Sequence, residues 1–266
     1  MGRVGRALIA HELLERTRDR WVLVTTALFA LLAMGIALYG RGAEEAAGVV
    51  TAPSLVALAG LLVPLVALVL GHDAIVGERE RHTLGLLLSL PVSRGEVLAA
   101  KFLGRALALS AATGIGLGSA ALLLQGGQRG TVLGLLPSTM LLGLAFLSLG
   151  VLLSAMTHRV ATAASLAVAC WFTLVFFYDL GLMALLVATD GAISQSAVAW
   201  LVTVNPAGLY RTGLMEQLMG ASALQELGLV VQLPGAAARG VIWASWTGIP
   251  LLVGALLLRR RQAVTT

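Results

Sequence analysis

Trp21-Val-Leu-Val-Thr-Thr-Ala-Leu-Phe-Ala-Leu-Leu-Ala-Met-Gly-Ile-Ala-Leu-Tyr39 contains no charged side chain and carries an aromatic ring at each end. Crossing about 30 Å of hydrocarbon at 1.5 Å per residue takes about 20 apolar residues. Trp and Tyr favour the headgroup level at which such a helix enters and leaves. The stretch therefore reads as a membrane-spanning helix. The same ruler fits Pro53–Gly71, Phe102–Leu124, Val132–Ala155, Val160–Tyr178 and Val241–Leu258. Six spans predict an all-α, polytopic membrane protein with a single transmembrane domain over residues 1–266 and no soluble appendage.

Composition agrees with the ruler. Apolar residues make up 58% of the chain, charged ones 12%, and the mean hydropathy is +0.93, outside the range of soluble domains. The chain's solvent is the lipid bilayer. A pI near 10.3 raises nucleic acid as a partner, but the cations sit in short clusters beside apolar spans, not on one extended face, so no nucleic acid is expected. The lone Cys170 excludes an internal disulfide. Met1–Arg20 lacks a short apolar run ending in a small-residue cleavage site, so the first span is expected to be retained.

Lys and Arg fix the expected direction. With the N-terminus inside, fourteen cations fall on the inner side and four (Arg41, Arg129, Arg211, Arg239) on the outer side, whereas Asp and Glu divide seven to six. Only cations should carry the bias, so both termini are expected in the cytoplasm. On the outer side, Asp179–Gly240 is too long for a turn and too apolar for a solvent loop. Its pieces Leu180–Ala188 and Val198–Val204 are too short to cross and are expected as short helices dipping into the outer leaflet.

Between spans two and three, the cytoplasmic segment 73–100 is the most informative. After the charged run Glu78-Arg79-Glu80-Arg81-His82, Thr83 is placed to cap a short amphipathic helix carrying Leu84, Leu87 and Leu88 on one face until Pro91 stops it. Ser93 and Glu96 form a capping-box pattern opening the next helix, which runs through Lys101 into span three. Such a helix, held by two spans, can pass a push from a soluble partner to both. The same pattern also suits an interfacial helix that only anchors and orients, and the residues do not choose between the two.

Several chemistries are excluded or disfavoured. A P-loop needs a lysine after a glycine-rich turn, and the only lysine, Lys101, lies between Ala100 and Phe102, so this chain does not hydrolyse ATP. The histidines, at 11, 72, 82 and 158, fall at the cytoplasmic edge, far from Ser119, which argues against intramembrane hydrolysis. Ser119 reads instead as part of a small-residue packing face with Gly114, Gly116 and Gly118. Ion-coupled transport needs ionisable groups near the midplane, where Lys101 and Arg105, at a span entrance, and Asp179, beyond span five, do not lie. On the outer side Met215, Glu216 and Met219 share one helical turn, and thioethers suit Cu(I). The same residues also read as an apolar face with Leu214 and Leu218. No metal or cofactor site is expected on this chain beyond these weak candidates.

Glu78-Arg-Glu-x-x-Thr-Leu-x-x-Leu-Leu-Ser-Leu-Pro91-x-Ser-Arg-x-Glu-x-x-x-x-Lys101 resembles the hallmark segment of ABC-2 type permeases, the membrane subunits of ABC transporters. Within that family the chain is most similar to the NosY type, which serves maturation of the copper enzyme nitrous oxide reductase. The similarity is carried by Arg18-x-Arg20-Trp21, Asp73-Ala-Ile-Val-Gly-Glu78, Lys101-Phe-Leu-Gly104, Trp171-Phe172, Asp179-Leu180 and Asn205-Pro-x-x-x-Tyr-Arg211. The resemblance implies a type V exporter-like fold with an amphipathic N-terminal helix and coupling helices, working as a homodimer in the bacterial inner membrane. It implies a NosF-like pair of cytoplasmic ATPases, holding ATP and Mg, docked around Glu78, Arg79, Glu80, Arg81, Thr83, Leu84 and Leu87. A second contact would fall at Met156–Val160, through Thr157, His158 and Arg159. A periplasmic β-helical, NosD-like partner would meet the outer segment at Asp179, Asn205, Pro206, Tyr210 and Arg211. The implied role is a non-catalytic permease that couples a separate ATPase to transport or to mechanical signalling. An exporter of a lipid, peptide or drug, and a non-transporting anchor, are the alternatives.

Overall fold

The computed structural model describes residues 3–42, 47–89, 93–190, 192–220 and 234–260. The apolar runs set the lengths of its helices, while charge, proline and hydroxyl groups set their ends. Helix α1 (Arg3–Thr17) stops just before Asp19, whose Oδ1 accepts from the Trp21 amide at 2.9 Å and so caps α2 (Arg20–Gly42). Then come α3 (Ala47–Gly71), the short α4 (Val76–Glu80) and α5 (Leu84–Ser89), and α6 (Arg94–Leu123). The capping box expected at Ser93 opens α6: Ser93 Oγ accepts from the Glu96 amide and Glu96 Oε2 accepts from the Ser93 amide. Pro91, the expected stop after α5, and Leu90 lie outside the described residues, as does the side chain of Leu88.

Helices α7 (Gly126–Gly134) and α8 (Leu136–Met156) follow, then α9 (Val160–Phe172), a π-helical turn over Thr173–Phe177, and α10 (Tyr178–Ala188). The chain continues as α11 (Gln195–Val204), α12 (Pro206–Met219) and α13 (Ala236–Arg260). Among the described residues six helices or stacked helix pairs are long and apolar enough to cross a membrane, which makes this a multi-pass membrane protein.

One expectation is corrected. Leu180–Ala188 is not a separate dipping helix: it continues span five through the π turn, so that span runs over Val160–Ala188. The short helix follows the charged run as expected; Glu78–Glu80 itself lies on α4, and the break to α5 falls at His82, in the left-handed region at φ 58°. Val198–Val204, by contrast, lies on the short helix α11 as expected.

α3 and α8 form the centre, each with more than half of its apolar stretch buried, whereas span five and α13 are mostly exposed. Their backbones meet at glycine on both sides. A Cβ on Gly71 would stand 2.8 Å from Gly150 Cα, and one on Gly150 would stand 2.9 Å from Gly71 Cα, so neither position accepts a side chain. On α6, Gly116 receives the Phe29 ring, whereas Gly114 and Gly118 face open space; the small-residue face is used at one position of the three. In α13, Pro250 cannot donate to Trp246 O, and Ser148 Oγ of α8 lies 2.8 Å from that carbonyl.

Replacing Gly150 with Val forces α3 and α8 apart. The expected outcome is a loss of about 1–3 kcal/mol, seen as a lower unfolding temperature in detergent than for Gly114→Val. Equal unfolding temperatures for the two variants would contradict the central crossing.

Candidate functional site

At the end of the bundle that carries α1, α4 and α5, six ionisable side chains come together below the surface. Glu12 and Arg16 stand one turn apart on α1, Lys101 and Arg105 one turn apart on α6, Asp73 follows α3, and Glu78 lies on α4. Lys101 Nζ reaches Glu12 Oε2 at 3.1 Å and Glu78 Oε1 at 2.8 Å. Arg105 Nε reaches Glu12 Oε1 at 2.6 Å, and its Nη1 donates to Asp73 and to the last-turn carbonyl of Leu70. Arg16 Nη1 stands 3.2 Å from Asp73 Oδ2. Three carboxylates thus meet three cations, and the Arg105 side chain is only 1% exposed. Charges so deep persist only when paired and hydrogen-bonded.

Burial alone would push the Glu12 carboxyl up. Arg105, Lys101 and Arg16 outweigh it and hold Glu12 below its ordinary carboxylate value. Gly104 makes the approach possible, because a Cβ there would meet Glu12 Cβ at 2.7 Å and Ile9 O at 3.0 Å. The residues that the sequence placed at a span entrance, Lys101 and Arg105, are therefore the interior of a clamp. Its α1 half was not anticipated. The signal was present in the four-residue spacing of Glu12 and Arg16, matching that of Lys101 and Arg105 on the helix they face.

The α4 residues expected to meet an ATPase divide. Glu78 points inward to Lys101, and Thr83, expected as a helix cap, donates its hydroxyl to the Glu78 carboxylate. Arg79 donates to the Thr157 carbonyl, and Glu80 Oε1 accepts from the Val160 amide at 2.8 Å, holding the N-terminus of α9. Ser154 Oγ accepts from the Ile75 and Val76 amides at 2.9 and 3.0 Å, which fastens the start of α4 to α8. Arg81, 57% exposed, and His82 face outward, as do His158 and Arg159; Leu84 and Leu87 are half-buried. Residues 79–80 and the turn at 157–160, which belong to stretches expected as separate contacts, thus lie side by side. Beside it, α1, α4, α5 and α6 enclose a cleft of about 480 Å³ with Leu8, Leu87 and Val97 on its apolar side and Glu15, Glu78 and Arg81 on its charged side.

At the opposite end, Asp179 pairs with Arg211, both part-exposed. Asn205, Pro206 and Tyr210 are buried within the chain instead of being presented outward; Asn205 caps α12, and the Tyr210 hydroxyl lies 3.2 Å from Thr139 Oγ1. Glu216 pairs with Arg239 at 2.8 Å, Met215 packs against the core and Met219 is exposed. Among the described residues no group of three or more His, Cys, Asp or Glu is placed to hold a metal.

A family model for ABC-2 family transporter proteins matches residues 6–263. A probable ABC transporter permease protein NosY of Stutzerimonas stutzeri is 40% identical over 266 residues, covering 94% of this chain and 96% of its own length. A protein of the same description from Pseudomonas aeruginosa is 41% identical over 263 residues, with the same coverage.

Because Glu12 is held below its ordinary value, its contribution to stability is complete above about pH 4.3, the usual value for Glu, and is lost as pH falls through the depressed value. The unfolding temperature in detergent, followed by tryptophan fluorescence, should be level from pH 8 to pH 5 and fall below about pH 4. Glu12→Gln should cost about 3 kcal/mol on the plateau, as removal of one partner of a buried pair does, and flatten the acid limb. Wild-type stability in that variant would sink the clamp.

Proposed function

The chain belongs to the ABC-2 family of transporter permeases, and from that premise we propose that it couples ATP hydrolysis on a separate, cytoplasmic ATPase to movement of its own outer segment. The observation that carries this reading is the joining of α4 to the turn between α8 and α9. Arg79 holds the Thr157 carbonyl and Glu80 holds the Val160 amide, so a load applied at either stretch reaches α3, α8 and α9 together. The clamp of Glu12, Asp73, Glu78, Arg16, Lys101 and Arg105 adds α1 and α6 to the same body. A rigid face at a helix-bundle end is what a permease without its own motor requires.

In this reading the α1 end lies in the cytoplasm of a bacterium, the protein sits in the inner membrane as a homodimer, and a pair of NosF-like ATPases docks on Arg81, His82 and the apolar side of the cleft at Leu87. ATP and Mg belong to those subunits. A periplasmic, β-helical NosD-like protein engages the opposite end near Asp179 and Arg211. The likeness to proteins named NosY supports a role in maturing the copper site of nitrous oxide reductase.

One observation favours a second reading, export of an amphiphilic lipid, peptide or drug. A cavity of about 330 Å³ between α3, span five and α12 has apolar walls at Leu61, Phe176 and Leu180 and the Asp179–Arg211 pair on its lining. An apolar body with a zwitterionic head matches those walls. A bare membrane anchor has no comparable support.

The test is co-purification in detergent with the candidate ATPase, with turnover measured alongside. Arg81→Glu combined with Leu87→Asp should weaken association by about tenfold or more, as loss of interface anchors does, without lowering the unfolding temperature. Unchanged association and unchanged ATPase stimulation would remove this site from the interface. Recovery of the ATPase without any β-rich periplasmic protein would favour the exporter.

A further inference from the structure

Span five is loosely packed yet tethered at both ends by polar contacts, and the two sets of tethers fall on either side of its π turn. On the near side, Glu80 Oε1 accepts from the Val160 amide at 2.8 Å, and Trp171 Nε1 donates to Leu61 O of α3 at 3.0 Å. On the far side, the Tyr178 hydroxyl donates to Leu201 O of α11 at 2.5 Å, and Asp179 pairs with Arg211 of α12. Between them lies Thr173–Phe177, wound with hydrogen bonds one residue longer than in an α-helix. Such turns are rare, sit mostly inside α-helices and are frequent at functional sites, and they are among the places where helices kink sharply.

Asn205 holds this turn. Its Nδ2 donates to Leu174 O at 2.7 Å, and its Oδ1 accepts from the Ala207 amide at 3.1 Å. The orientation of the amide is fixed by these partners, since a carbonyl needs a donor and an amide N–H needs an acceptor. Asn205 is itself 1% exposed, so neither bond has water as a substitute. One side chain therefore caps α12 and occupies a carbonyl of the π turn.

We propose that span five is a jointed lever: the π turn is its joint, Asn205 is the positioning residue that keeps the joint in the π form, and α11–α12 is the load it moves. A push on α4 reaches the start of α9 through Glu80. The near half of the span follows α3 and α4, while the far half is bound to α11–α12, whose Tyr210 packs on Gly60 of α3 and Thr139 of α8; any shift of that pair against α3 is taken up in span five at Thr173–Phe177. Exchange of the turn between π and α winding, with release of Leu174 O by Asn205, supplies the two states that such coupling needs.

The inference rests on the reading of α4 as the element loaded by an ATPase, and the experiment separates the two. The full chain, purified with its ATPase and placed in nanodiscs, is compared by hydrogen exchange without nucleotide and trapped with ATP and vanadate. Two variants accompany the wild type. Asn205→Ser keeps a capping oxygen for α12 and loses the donor that reaches Leu174 O. Deletion of Leu174 shortens the turn by one residue, to α winding, and leaves the flanking faces in register. In the wild type, trapping should change exchange at 84–89 and at 195–212 by about fivefold or more, the lower end of ordinary coupling between sites. Both variants should keep the change at 84–89 and lose it at 195–212, with α3 and α8 as protected as in the wild type. If the deletion variant does not fold, Asn205→Ser alone decides. Retention of the change at 195–212 in Asn205→Ser overturns the lever, as does a wild-type change confined to 84–89. No change at either place in the wild type overturns the ATPase reading and the lever with it.

Discussion

Burying charge in an apolar bundle is costly, and the pairing of six ionisable groups at one end of this protein is the constraint from which much of its arrangement follows. Lys101 and Arg105 sit on a helix that otherwise reads as a membrane span, and Arg105 is almost wholly removed from solvent. They tolerate that position because Glu12, Asp73 and Glu78 arrive from three other segments. The consequence reaches in both directions. Helix α1 is held against α6 by its charged stripe, with Gly104 opened to admit Glu12, and α4 is fixed at an angle that turns Arg79 and Glu80 toward the α8–α9 turn. An amphipathic helix at a membrane surface normally buries its apolar face; here the charges of α1 are the buried face as well.

Much of the architecture was legible because hydropathy and length act locally. The six spans, the capping box at Ser93 and the short helix at 195–204 follow from residues near one another in the chain. What was not legible depends on partners far away in sequence. Asp179 looks like the end of a span, since a carboxylate is costly in lipid; its partner Arg211 lies 32 residues on, and with the pair formed the helix continues to Ala188. Lys101 and Arg105 look like an entrance for the same reason, because Glu12 lies 89 and 93 residues away. Within the expected segment 78–83 the side chains divide by long-range partners: Glu78, Arg79 and Glu80 are turned to Lys101, Thr157 and Val160, while Arg81 and His82 are exposed.

The two ends of the molecule use polar contacts differently. At the α1 end the contacts form a closed network of charges that lets several helices move only together. At the other end single bonds from Asn205, Tyr178 and Arg211 tie a short helix pair to span five. The two ends are joined by α3, α8 and span five, and Tyr210 of α12 is buried against Gly60 of α3 and Thr139 of α8.

The account depends on Glu12 and Arg105 acting as a pair within the clamp, not as two separately useful side chains. A double-mutant cycle with Glu12→Gln and Arg105→Met, measured as unfolding free energy in mixed detergent micelles, tests this directly. A coupling energy of about 0.5–3 kcal/mol, the range for residues in one network, is the predicted result. Additive single effects, with the double variant as unstable as their sum, would contradict it.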